Sequence, residues 1–324
     1  MAHDGGLTDA DVVEAYRIFL EREPESAEAV AHHRAAHADR ASLYRAMLAS
    51  SEFLDRVSFP AVRAALHGLM SAPPPQVQHD APPEVMARMV ARIRDQWTRL
   101  GEAEPHWSVV TAERFRARNL AADPESLAFF RHTGAREAGL IDTFAARTGV
   151  AAPTGLCVEL GCGVGRVTRH LADRFDRVLA LDISPGNLAL ADAYMAEDGI
   201  TNVETRLVRG LEDFDALPPM DAFFSVITLQ HNPPPVQKAM LRAVFDRLKP
   251  GGVALFQLLG EQAGYVFDAE DYLSGAAPEM EMHVLPRAVV LAEMAAHGVR
   301  PLDVVADART GAIIGSTTFY GLKL

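Results

Sequence analysis

The stretch Leu156 to Ser184, LCVELGCGVGRVTRHLADRFDRVLALDIS, decides the fold. Leu156, Cys157, Val158, Glu159 and Leu160 form a short apolar run holding one acid, and Gly161, Gly163 and Gly165 follow at once. A run of this kind closed by glycines reads as a buried parallel strand entering a tight turn. From Arg166 the apolar residues Val167, Leu171 and Phe175 recur every four positions, so the turn opens a helix. Val178 to Leu181 then make a second apolar strand that ends in Asp182. The unit is strand, glycine turn, helix, strand, with an acid at the tip of the second strand.

Glycines let the backbone approach a ligand closely, and the amide hydrogens at a helix start suit a polar or anionic group. An acid closing the second strand can accept hydrogen bonds from a ribose diol. A nucleoside-containing ligand is therefore expected. The dinucleotide fingerprint requires G-x-G-x-x-G, but its third glycine position is Arg166 and the glycines run G-x-G-x-G, which disfavours a pyrophosphate. The segment VELGCGVGRV instead resembles the first motif of class I S-adenosylmethionine-dependent methyltransferases, with Glu159, Gly161, Gly163 and Gly165 in the places that family uses. The resemblance implies an α/β fold with a doubly wound sheet of seven strands and S-adenosylmethionine as cofactor. It places Asp182 on the ribose and brings Cys162, Arg166, Ile183 and Gln230 into the cofactor site. The loop after the third strand would hold the adenine through backbone groups and an acid, for which Leu211 and Glu212, with Asp213 beside them, are the candidates.

A chain of 324 residues is expected to hold two domains. Its 49% apolar and 23% charged residues are those of an ordinary globular protein. The formal charge of −12 argues against broad attraction to nucleic acid or anionic membranes. No apolar run reaches the ~18 residues of a membrane span, and MAHDGGLTDAD has neither the basic start nor the apolar core of a signal peptide. A cytoplasmic protein is expected. Its two cysteines, Cys157 in a buried strand and Cys162 in the glycine turn, are not expected to pair.

Residues 1–72 read as a small all-α bundle. Thr8 followed by Asp9 and Asp11 marks a helix start, with Val12, Val13, Tyr16, Phe19 and Leu20 on one face until Pro24. Weaker helical patterns follow at Ser26 to His37, Ser42 to Leu48 and Ala61 to Met70, with Phe53 and Leu54 between the last two. Leu20, Arg22, Glu23 and Pro24, with Ala49, Ser50, Ser51, Glu52 and Phe53, resemble a small helical domain found on bacterial surface-polysaccharide and secreted proteins. This portion reads as an interaction module that binds a protein partner or itself. His33 and His37 lie one helical turn apart, but without a completing cysteine or carboxylate they read as a solvated helix face.

Residues 73–83 form a proline-rich linker, expected to be extended and semi-rigid. Residues 84–150 are helical, with Met86, Val90, Ile93, Trp97 and Leu100 on one face and a second helix from about Pro124 to Gly149, kinked at Gly134. In the family such leading helices cover the cofactor and shape the acceptor pocket. Trp107, Phe115, Arg116 and Arg118 between them are candidates for a lid, or for packing the helices on the sheet.

Residues 151–324 hold the cofactor-binding core. After Asp182 the pattern gives a helix to Asp198, a third strand at Val203 to Val208 and a fourth at Ala222 to Leu229, which delivers Gln230, His231, Asn232 and Pro233 to the ligand edge of the sheet. Lys249-Pro250-Gly251-Gly252 precedes a fifth strand, Val253 to Leu259, and "LKPGG" is a second family resemblance. A helix from Arg287 to His297 and strands near Leu302 to Val305 and Ser316 to Leu322 resemble the closing hairpin of that fold.

Methyl transfer demands alignment first, and a hydroxyl acceptor also demands a base, a task suited to histidine. His231 is the candidate base for a small-molecule, sugar or glycan hydroxyl. Asn232-Pro233-Pro234 resembles the N-P-P motif of amino-group methyltransferases, which gives a small amine or protein amide as the alternative acceptor, although Pro235 stands where that motif has an aromatic. An inactive scaffold with the same fold is a third reading. Glu279, Glu281 and His283 would share one face of an extended segment, where a divalent metal or a solvated strand face are the two readings, and no metal is assigned.

Overall fold

The computed structural model describes residues 7–20, 22–50, 52, 75–150, 153–278, 280–310 and 315–324. The chain divides into two compact units, Met1–Ala72 and Pro73–Leu324.

In the first unit Thr8 caps the helix Asp9–Ala15 in a reciprocal capping box with Asp11. The helices Ala27–Ala36 and Arg40–Ala49 follow, and Val12, Ala15, Tyr16, Leu20, Leu43 and Met47 form their core. Arg22 hydrogen-bonds both carboxylate oxygens of Glu52 at 2.6 and 2.8 Å, joining the two ends of the motif noted above. His33 does not lie on a solvated face. It is half-buried, edge-on to Tyr16 at 5.5 Å and stacked on His37 at 5.8 Å. Among the described residues no group of histidine, cysteine and carboxylate side chains is arranged to hold a metal. Phe53, Leu54 and the expected helix at 61–70 lie outside the described residues.

The second unit is built on a seven-stranded sheet. Its strands are β1 (Leu156–Leu160), β2 (Arg177–Asp182), β3 (Val203–Leu207), β4 (Met220–Ser225), β5 (Leu248–Glu261), β6 (Val299–Asp307) and β7 (Gly315–Lys323). Their spatial order is β3-β2-β1-β4-β5-β7-β6. The first five are parallel, while β7 runs antiparallel to both β5 and β6. This is the class I methyltransferase topology, a mixed sheet with helices against both faces. The apolar residues of β1 alternate between two cores: Val158 and Leu160 pack with Phe223, Phe256 and Phe319, and Cys157 with Phe144, Phe224 and Tyr320. Both faces being covered explains why the central strands read as continuous apolar runs. Sequence direction around the sheet reverses between β1 and β4, and ligands of doubly wound sheets bind at that switch point.

Three local expectations are corrected. The helix after residue 124 breaks at Gly139, giving Pro124–Ala138 and Leu140–Thr148, and Gly134 lies inside the first helix. A Cβ on Gly134 would stand 1.9 Å from the carbonyl oxygen of Arg166, so that glycine serves close packing on the glycine turn. β4 ends at Ser225, four residues early, because Ile227 adopts φ 57° and Leu229–His231 turns into a 3₁₀ helix. β5 begins at Leu248 and runs through Lys249-Pro250-Gly251-Gly252, with a register shift against β4. The proline-rich segment is docked: Gln76–Val77 pairs in parallel with Val266–Phe267, and Asp80 meets Lys238 at 2.8 Å.

Candidate active site

A pocket of about 960 Å³, counted with its open mouth, lies at the carboxyl ends of β1, β2 and β4. The glycine turn forms one wall. Gly161, Gly163 and Gly165 have φ of 80°, 54° and 81°, where a side chain would be strained. A Cβ on Gly161 would also strike the Thr228 side chain at 2.1 Å, and one on Gly163 would strike Val109 at 2.5 Å.

Asp182 closes the turn from β2. Its Oδ2 accepts the Gly163 amide and its Oδ1 the Ser184 amide, both at 2.8 Å. Burial raises its pKa, and these amides oppose that shift. Each carboxylate oxygen retains a further lone pair for a ligand hydroxyl. Ile183 lines the pocket beside it.

Glu159 at the tip of β1 is 3% exposed and accepts a 2.6 Å hydrogen bond from Thr168. Burial pushes its carboxyl up to about 7, against the pull of Thr168 and Arg166. Arg166 lines the same pocket and donates to Thr133 at 3.2 Å, while its Nε is buried without a partner. Asn187, in the first turn of the helix Pro185–Glu197, lines the pocket and has a buried Oδ1 without a partner. Cys162 is a pocket residue whose thiol is pushed well up by burial, so it has no thiolate character.

The opposite wall is the loop after β4. A β-branched residue with positive φ is a genuine outlier, and Ile227 is held there by a hydrogen bond from its amide to Gln257 Oε1 at 2.8 Å. Gln257 comes from the middle of β5, and its Nε2 donates to Gln230 Oε1 and Ser316 Oγ, both at 2.8 Å. This clamp turns the chain so that Thr228, His231 and Asn232 line the pocket. His231 donates its Nδ1 proton to the carbonyl of Glu281 at 2.7 Å, since a carbonyl can only accept. Its Nε2 therefore carries the lone pair. Burial lowers its pKa to about 4, so the ring is neutral near pH 7. Trp97 meets it edge-on at 5.0 Å.

The structure thus brings Glu159, Gly161, Cys162, Gly163, Arg166, Asp182, Ile183, His231 and Asn232 to one pocket. Gly165 supports the turn from behind, packed on Ala191 and Met195. Other candidates stand elsewhere. Leu211 packs into the core and Glu212 is exposed, while Val208 lines the pocket on that side. Gln230 faces Gln257 and Met282. Asn232 spends its Nδ2 on the carbonyls of Thr228 and Leu229, and its own carbonyl accepts from Gln237. Trp107 is covered by the Arg116 guanidinium at 3.9 Å, and the tryptophan in the pocket is Trp97. Glu281 and His283 do share a face, but an enclosed one, with Glu281 paired to Arg92 at 2.7 Å. Glu279 lies outside the described residues.

Residues 157–252 match the family described as "Methyltransferase domain". The ubiquinone biosynthesis O-methyltransferase of Pseudomonas fluorescens (strain Pf0-1) is 31% identical over 135 residues, 40% of this chain and 53% of the relative. The trans-aconitate 2-methyltransferase of Streptomyces avermitilis is 34% identical over 137 residues, 41% of this chain and 49% of the relative. The chain spans about half the length of these curated relatives. Among solved structures, magnesium protoporphyrin IX methyltransferase from Synechocystis PCC 6803 with bound S-adenosylhomocysteine superposes with a TM-score of 0.50 at 15% identity, over 73% of this chain and 100% of that one. The chain carries a methyltransferase domain in the class I methyltransferase fold. No helix among the described residues is long and apolar enough to cross a membrane.

Proposed function

We propose that the protein methylates a hydroxyl of a small molecule, sugars and glycans included, with S-adenosylmethionine as donor and His231 as base. The observation that carries this reading is the hydrogen bond from His231 Nδ1 to the Glu281 carbonyl, which leaves Nε2 as a proton acceptor on a residue of the pocket wall. The fit of the donor rests on the pocket's own groups. Glycine amides and Asp182 suit a ribose, the orphaned Asn187 Oδ1 offers a buried acceptor, and Glu159 is a desolvated acid suited to a cationic ligand. When bound, S-adenosylmethionine supplies an electrophilic methyl on a sulfonium, whose carbon–sulfur pair stays with sulfur. The chain's residues supply alignment and a place for the hydroxyl proton on Nε2.

Trp97 and Ile93 present an apolar surface beside His231, which suits the C–H face of a sugar or a planar ring. The named O-methyltransferase relatives accord with an oxygen acceptor. For the amine alternative, Asn232 gives its Nδ2 hydrogens to its own loop, which leaves its side-chain oxygen as the group that would accept from an amine. The pocket residues all belong to the unit Pro73–Leu324, and we read the unit Met1–Ala72 as an interaction module for a protein partner or a second copy.

The test is a screen for transfer of labelled methyl to sugars, nucleotide sugars, phenols, amines and peptides, with His231→Gln and Asn232→Ala beside the native protein. A hydroxyl acceptor lost in His231→Gln supports the reading. An amine acceptor lost in Asn232→Ala overturns it.

A further inference from the structure

The helix Pro83–Ala103 reaches His231 twice. Trp97 touches the ring directly, and one turn earlier Arg92 grips the segment that accepts the Nδ1 proton. The Arg92 side chain is 15% exposed. Its Nη1 donates to the carbonyls of Tyr272 and of Gly275, the latter at 2.9 Å. Its Nη2 donates to the Ala276 carbonyl at 3.3 Å and to Glu281 Oε1 at 2.7 Å. The guanidinium also lies 4.2 Å over the Tyr272 ring, and Gln96 adds a 2.8 Å bond to the Pro278 carbonyl. A planar fork can hold several acceptors in fixed directions, which an ammonium cannot.

This cluster is poorly arranged for stability alone. Arg92 Nε, Tyr272 OH, Glu281 Oε2 and His283 Nε2 are all buried without hydrogen-bond partners, and Glu281 Oε2 stands 3.7 Å from His283 Nε2. Buried polar atoms left unpaired cost about 1 to 3 kcal/mol each, and a buried ion pair is weak evidence of net stabilisation. What the arrangement does provide is a fixed place for residue 281, whose side chain is held by Arg92 and whose carbonyl holds His231.

We infer that Arg92 is a positioning residue for His231, holding residues 272–276 and the Glu281 side chain so that the Glu281 carbonyl fixes the imidazole as its Nδ1–H tautomer with the lone pair on Nε2. The inference rests on the proposed role of His231 for its consequence in catalysis, but its structural content is separate. The charged and titratable groups around this ring are His283, the Glu281 side chain and Arg92 on one side, and Glu159, Arg166 and Asp182 in the pocket wall.

Long-range proton–nitrogen NMR of the histidine rings in the full chain tests it without knowledge of the acceptor. The His231 signals are identified by their loss in His231→Gln. The native ring should show one Nδ1–H tautomer. Arg92→Lys, which keeps the charge and removes the fork, should show both tautomers and a titration midpoint raised by about one unit or more as the ring is released toward water. Glu281→Gln, which keeps the backbone carbonyl, should fall between them. A folded Arg92→Lys variant with the native tautomer and midpoint overturns the inference. So does failure of both variants to fold, since Arg92 would then be a folding residue. If Arg92→Lys loosens the ring while His231→Gln turns over normally, the positioning stands and the proposed catalytic role of His231 falls.

Discussion

His231 Nδ1 and the carbonyl oxygen of Glu281 stand 2.7 Å apart, joining the loop after β4 to a segment fifty residues further along the chain. That bond decides which ring nitrogen is free, and burial decides that the ring is neutral.

From it follows a pH dependence. His231 has a folded pKa lowered to about 4, so the neutral, proton-accepting form persists well below the usual histidine range. The limb of kcat/KM due to this group should be flat from pH 8 to about 5 and fall as pH drops through about 4. The same shift opposes folding in acid: the unfolded histidine takes up its proton near pH 6.5, so stability from this group is present above that pH and is lost as pH falls toward 4. His231→Ala should lower turnover by about 10² to 10⁴ with unchanged affinity for S-adenosylhomocysteine by calorimetry.

Asp182→Ala should weaken binding of S-adenosylmethionine at least about tenfold, because a hydrogen bond to a charged group is worth roughly 1.5 to 3 kcal/mol. The variant also strands the amides of Gly163 and Ser184. Asp182→Asn, which keeps one acceptor oxygen, should lose less, and equal affinity in all three proteins would remove Asp182 from the site.

Glu159 works in the opposite sense to His231. Its folded pKa is raised to about 7 by burial, so its contribution to stability is fully present below the unfolded carboxyl pKa and is lost as pH rises through about 7. A cationic ligand favours the ionised acid and should release a proton on binding near pH 7. Calorimetry in two buffers of different ionisation enthalpy measures that proton. S-adenosylmethionine, with one more positive charge, should release more than S-adenosylhomocysteine, and Glu159→Gln should abolish the difference.

Gln257→Leu should lower stability by about 2 to 5 kcal/mol, because it leaves the Ile227 amide, the Gln230 carbonyl oxygen and the Ser316 hydroxyl without this partner. Denaturant unfolding reads the loss. A change under 1 kcal/mol would show that the loop after β4 keeps its shape unaided.

Removal of residues 1–72 should leave affinity for S-adenosylhomocysteine unchanged, since the pocket residues all lie beyond them. Removal through Gln78 should lower the melting temperature further, because it deletes the ladder of Gln76 and Val77 on Val266 and Phe267.

The glycine turn and Asp182 were legible because their geometry is local: strand, turn and acid lie within one continuous stretch, and spacing carries the information. The far wall was not. Trp97 read as one more apolar position on an amphipathic helix, and nothing in the sequence singled out Asn187 or Gln257. Each becomes part of the site through a neighbour distant in sequence: His231 for Trp97, Ile227 for Gln257. Gly134 was misread for the same reason, since the carbonyl that requires a glycine there belongs to Arg166. The end of β4 was overrun because nothing about an isoleucine announces a left-handed backbone.

Ile227 has a consequence for engineering this protein. A β-branched residue forced into a conformation that glycine or asparagine accepts readily holds local strain, of order 1 to 3 kcal/mol, and the Gln257 clamp keeps it loaded. Ile227→Asn would relieve that load and give a tougher protein. The same relief would let the peptide units beyond it settle elsewhere, and Thr228, His231 and Asn232 lie within five residues. Thermal resistance and turnover are thus set against each other at a single backbone torsion, and selection for heat tolerance alone would be expected to fix this substitution at the expense of activity.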